Sequence, residues 1–131
     1  MEKNVLEKIP DQNLRAYVVW VPVLRAGPFE SAAHSESGRI ADRRVTQYLD
    51  PGASLAKAYA SVIHLPSPVR AWDVYFVFGP DARWPEGQGS DQPPQPTYWM
   101  HQLGRAAPPE LLLDGDRLAR SVRELIFKHS Q

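Results

Sequence analysis

The sequence predicts an α/β protein: a three-layer α/β/α sandwich around a mixed sheet of about four strands, in the order α-β-α-β-α-β-β-α. Three observations carry this. Ala71–Gly79 is the most apolar run in the chain, with Val74, Phe76 and Phe78 on one face of a strand and Tyr75 and Val77 on the other. Tyr17-Val18-Val19-Trp20-Val21 repeats the pattern, and strands apolar on both faces belong inside covered sheets. Helix-spaced segments lie between successive strands, which implies parallel crossovers.

Composition bounds the rest. The 131 residues suit one domain, and the 43% hydrophobic and 23% charged content is ordinary for a soluble globular chain. Fifteen basic residues balance fifteen acidic ones, so no net field would gather nucleic acid or anionic lipid. No apolar run approaches the roughly 20 residues of a membrane helix. The Met1-Glu2-Lys3-Asn4 start has no apolar signal core, which predicts a cytoplasmic location for the chain as it stands. There is no cysteine, which removes disulfides, thiolate nucleophiles and cysteine-ligated metals within these residues.

From the N-terminus, Val5, Leu6 and Ile9 share one helix face that Pro10 ends, so Asn4–Asn13 reads as the tail of a helix. A buried strand follows within Leu14–Leu24, its ladder closed at Pro22. Pro28 suits the first turn of a helix through His34. Arg44–Asp50 reads as a shorter, exposed edge strand, and Asp50-Pro51-Gly52 turns the chain. Ser54 is placed to cap a helix with Leu55, Ala58, Tyr59 and Val62 on one face, stopped by Pro66 and Pro68. Ala71–Gly79 is the central strand. Five prolines within residues 80–96 mark a long surface loop, and Thr97–Leu103 is the last strand, free to pair antiparallel with its predecessor. After a loop over Gly104–Leu113, Asp114 or Asp116 caps a final helix with Leu118, Val122, Leu125 and Ile126 on its core face.

Element order and several aromatic phrases resemble the thioredoxin-like superfamily, in particular its peroxiredoxin-like and envelope thiol-disulfide oxidoreductase branch. The matching positions are Tyr17–Val21, Val45–Asp50, Ala56–Tyr59, Asp73–Phe78, Thr97–Leu103 and Asp116–Lys128. The phrases Val19-Trp20-Val21-Pro22-Val23-Leu24, Ala71-Trp72-Asp73-Val74-Tyr75 and Trp99-Met100-His101-Gln102-Leu103 carry the likeness to a bacterial subgroup. The resemblance implies a single thioredoxin-like domain whose Cys-x-x-Cys strand and helix would precede Asn4, leaving the chain N-terminally incomplete relative to the family. It also implies a cis proline before the central strand, for which Pro68 is the nearest candidate, and relatives that are often exported. A second register makes Tyr17–Val21 the redox strand, with Arg25-Ala26-Gly27-Pro28 where the cysteines would lie. In the first register the missing strand belongs between Tyr17–Val21 and Asp73–Phe78. Either those two pair directly or another chain fills the gap, so a homodimer or a protein partner through an exposed sheet edge is expected.

Candidate chemistry is sparse. No catalytic residue, metal site or cofactor is assigned. Trp72, Asp73, Trp99 and His101 are the candidate ligand-binding residues, near the end of the sheet where open α/β folds place ligands. Asp73 opens an apolar strand, and burial would raise its proton affinity as acid–base work requires. The plainer reading has it cap a loop or pair with Arg70 or Arg44. His34 with Glu30 and Glu36 is a weak metal pattern, and His64 and His101 read as structural. Trp84, Tyr98 and Trp99 read as packing beneath the long loop. Gly87-Gln88-Gly89 and Ser90-Asp91 lack the strand and helix context that would make them functional. The resulting expectation is a redox-inactive binding or assembly module. The alternatives are an enzyme using Asp73 and His101, or the trailing part of an oxidoreductase whose cysteines lie upstream of Met1.

Overall fold

A computed structural model describes residues 2–22, 29–84 and 92–131. The chain is mixed α/β. A π-helical turn (Glu2–Leu6) leads to β1 (Ala16–Trp20), α1 (Phe29–Ser37), β2 (Val45–Leu49), α2 (Ser54–Val62), β3 (Val74–Val77) and β4 (Tyr98–His101). Two short 3-10 turns then precede α3 (Gly115–His129). Every expected strand forms, and so does every expected helix, though the first is only that one π-helical turn.

The sheet differs from the expectation. Instead of one mixed sheet of about four strands there are two sheets of two. β1 and β2 pair in parallel, Ala16 opposite Val45 and Trp20 opposite Leu49. β3 and β4 pair antiparallel, Val74 opposite His101 and Val77 opposite Tyr98. The physical reason is the free side of each inner strand. Ala16 N–H donates to Arg44 O and Trp20 O accepts from Asp50, so Ala16, Val18 and Trp20 face β2. By alternation, Tyr17 and Val19 turn their peptide groups away from it. On β3, Asp73 O and Val77 O accept from Gln102 and Thr97, so Val74 and Phe76 point theirs away from β4. Among the described residues no backbone partner meets these outward groups.

β3 is nevertheless covered on both faces. Val74, Phe76 and Phe78 pack with Trp99 against Tyr59, Val62 and Ile63 of the α2 region. Tyr75, Val77 and Tyr98 pack against Met100, Leu118, Ala119 and Val122, with Val5 and Ile9 of the N-terminal segment. The two-faced reading of this strand holds, though its residues are only half-buried. β1 is a clearer correction. Tyr17 is 64% exposed and stacks on Tyr48 at 6.4 Å, so no described element covers it on that face of the β1–β2 sheet.

Local chemistry sets the boundaries. The expected Ser54 cap is replaced by Asp50, whose two carboxylate oxygens accept from Ser54 and Leu55 N–H. Of the two aspartates at the start of α3, Asp114 is the cap, accepting from Arg117 N–H at 2.9 Å, while Asp116 in the first turn pairs with Lys8 at 3.0 Å. A Cβ at Gly115 would meet the exposed Asn4 side chain, which would have to move aside. The expected packing of Trp84 is not seen: it is 54% exposed, whereas Tyr98 and Trp99 join the two cores. Gly87–Gly89, Ser90-Asp91 and the Arg25–Pro28 register lie outside the described residues.

One buried polar group joins the N-terminal segment to β2. The Arg44 guanidinium donates to Leu6 O at 2.6 Å and to Ile9 O and Asp11 O, satisfying carbonyls where the N-terminal turn ends. Asp42 grips the same guanidinium through both oxygens. That hydrogen bond pulls the Asp42 carboxyl down to about 2. A depressed folded-state value contributes stability that is complete above the unfolded value of about 4 and fades as pH falls toward 2. Urea midpoints measured from pH 5 to about pH 2 should therefore fall more steeply in the native protein than in Asp42→Asn. Equal slopes would remove Asp42 from the acid response.

Candidate functional site

A groove of about 1140 Å³ lies at one end of the two sheets, lined by segments that lead out of or into their strands. It is bounded by Val21 and Pro22 after β1, by Ala53 and Ala56 at the start of α2, and by Pro68, Val69, Arg70 and Trp72 before β3. Gln102, Leu103 and Gly104 after β4 close the remaining side. The C-terminal end of β1 thus lies beside the N-terminal end of β3. The walls are mostly apolar, as in sites that seat organic or peptide ligands.

The segment leading into β3 is sharply folded. The Ser67–Pro68 peptide is cis, Trp72 N–H donates to Arg70 O, and Asp73 takes φ +52. Aspartate is among the few residues that tolerate that left-handed geometry. The turn leaves Trp72 39% exposed at the groove wall. Among the described residues Arg70 is the one charged residue of the groove lining, and its guanidinium has no hydrogen bond or ion pair there.

The four residues singled out in the sequence do not form one cluster. Trp72 lines the groove. Asp73 is exposed rather than buried, and it pairs with neither Arg70 nor Arg44. Its carboxylate accepts from Tyr75 Oη at 3.4 Å and, with the Gln102 amide turned nitrogen-inward, from Gln102 at 2.9 and 3.2 Å. Burial first, then the Asp73 charge, pushes the Tyr75 hydroxyl up. Trp99 sits in the core beside α2.

His101 is fully buried. Its Nδ1 accepts from Leu103 N–H at 3.1 Å, and its Nε2 lies 2.8 Å from Pro108 O. The neutral ring with hydrogen on Nε2 satisfies both. Such a ring has no free atom to offer a substrate, so it holds the 104–113 connection to β4. His64 is exposed beyond α2 with φ +57, apart from this arrangement. His34 and Glu30 are exposed on α1, Glu36 pairs with Arg39, and no group of three or more ligating side chains forms among the described residues.

Sequence reasoning missed Val69, Arg70 and the Ala53–Ala56 wall. Two signals were present: the Pro66-Ser67-Pro68 stop and the small residues Gly52, Ala53 and Ala56, which leave space at a helix start. No helix among the described residues is long and apolar enough to cross a membrane. Comparison with protein-family models, curated proteins and solved structures finds no match to this chain.

Proposed function

We propose that this chain is a thioredoxin-like domain without thiols that works as a binding or assembly module, seating a polypeptide in the groove between its two half-sheets. The observation that carries the reading is an apolar groove at one end of two short sheets whose strands β1 and β3 carry, among the described residues, peptide groups without a backbone partner. The split falls where the resemblance to thioredoxin-like proteins leaves room for a further strand. Helical cover on both faces of β3 suits the three-layer arrangement of that superfamily, and the cis bond at Pro68 stands where its members carry one. With no cysteine in these residues, thiol exchange has no nucleophile here. The polypeptide is a second copy or another protein.

A random displayed peptide library selected on the wild type tests this. Binders should be recovered, and Val69→Arg, which pushes a charge into the half-buried groove wall, should weaken them at least tenfold while leaving the circular dichroism unchanged. An empty selection, or binders indifferent to Val69→Arg, would count against a groove-based module. The same split favours one second reading, in which a cysteine-bearing strand encoded upstream of Met1 fills the gap. In-frame translation of the gene upstream decides that point.

A further inference from the structure

Resting on that reading, we infer that the guest enters the groove as a free C-terminal end, with an apolar last side chain among the walls and its carboxylate on Arg70. The charge of the lining carries the inference. Among the described residues the lining holds no acidic side chain, Arg70 is its one charged group, and its other polar side chain, Gln102, is a neutral amide. The carboxylates next to the lining in sequence, Asp50 and Asp73, bond elsewhere. Asp50 accepts from Ser54 and Leu55 N–H at the start of α2, and Asp73 accepts from Tyr75 and from the Gln102 amide. The Arg70 guanidinium is thus left without an anion beside apolar walls, and the complement of that arrangement is a guest bringing one carboxylate and an apolar body.

A chain terminus delivers both in a single residue. Its carboxylate carbon is bonded to the same Cα that carries the last side chain, so anion and apolar group arrive together. The size of the groove suits the end of a chain better than a small free acid. At about 1140 Å³ it exceeds the ~300–1,000 Å³ usual for small-ligand pockets, so several residues can enter. Ala53 and Ala56 take up little of the wall beside Phe29, Val69 and Trp72, which leaves room for a side chain the size of leucine or phenylalanine. The class of partner is therefore a protein whose chain ends in a large apolar residue.

The probe is a library of random heptapeptides displayed with free C-termini and selected on the whole chain. Recovered peptides should end in leucine, isoleucine, valine or phenylalanine. Resynthesised as acids, they should bind about threefold more tightly than as C-terminal amides, the scale of one exposed ion pair. Arg70→Gln should erase that difference. Arg70 is exposed, so the substitution should leave the circular dichroism unchanged. Binding should also move tryptophan emission to the blue by covering the exposed Trp72, and Trp72→Phe should abolish the shift. Recovery of no binder would overturn the inference together with the module. Binders that depend on Val69 but bind equally as acid and amide would overturn the C-terminal end and spare the module. An acid–amide difference that survives Arg70→Gln, or an emission shift that survives Trp72→Phe, would place the guest elsewhere and overturn the inference as well.

Discussion

His101→Ala should cost about 3 kcal/mol of folding stability, because it empties a fully buried site and strands two polar groups. Leu103 N–H loses its acceptor and Pro108 O loses its donor. The loss should spread beyond β4. Leu113 N–H bonds His101 O at 2.9 Å, and His101 forms a bridge to Leu112, so the residue anchors the connection that delivers α3 to the sheet. Urea denaturation followed by tryptophan fluorescence measures the change. A midpoint within error of the native one would mean that the ring is not structural, and the enzyme reading that pairs it with Asp73 would regain ground.

Tyr59→Ala should cost about 3–5 kcal/mol, the range for removing a large aromatic from a packed core. Tyr59 stacks on Phe76 at 4.3 Å and lies 6.2 Å from Phe78, so one side chain of α2 meets two of β3. Burial pushes its hydroxyl up to about 12, yet no hydrogen bond holds that oxygen among the described residues. Tyr59→Phe should therefore stay within about 1 kcal/mol of the native protein. The pair separates ring packing from hydroxyl chemistry; a Phe variant as damaged as the Ala variant would show that the hydroxyl matters. Because Ala53 and Ala56 of the same helical unit wall the groove, Tyr59→Ala should also weaken whatever binds there.

The parts of the fold legible in the sequence were those set by local pattern. Alternation in Val74–Phe78 marked a strand that packs two ways, and it does. The Val5–Ile9 spacing marked a buried face, and Leu118 with Val122 marked that of the last helix. What was not legible depends on contacts far apart in the chain. The sequence cannot say that Asp50 reaches over Pro51 to cap α2, nor that Arg44 closes the N-terminal turn, since each depends on where the next element lands. The exposure of Asp73 is hidden for a similar reason. It stands at the head of an apolar strand, but the left-handed turn at its own backbone swings it into solvent. Tyr17 looked like core because aromatics in strands usually are, yet nothing among the described elements covers its face of the β1–β2 sheet. The groove was legible only as an expectation of a gap. Its walls come from five separate segments, Phe29 of α1 among them, that no short motif joins.

Native-state amide hydrogen exchange on the protein alone tests the split sheet most directly. Val18, Trp20 and Tyr75, whose amides face a partner strand, should exchange slowly. Tyr17, Val19, Val74 and Phe76 should exchange fast, as unpaired edges do. Slow exchange at all seven would show that β1 and β3 are already paired and would contradict the split sheet.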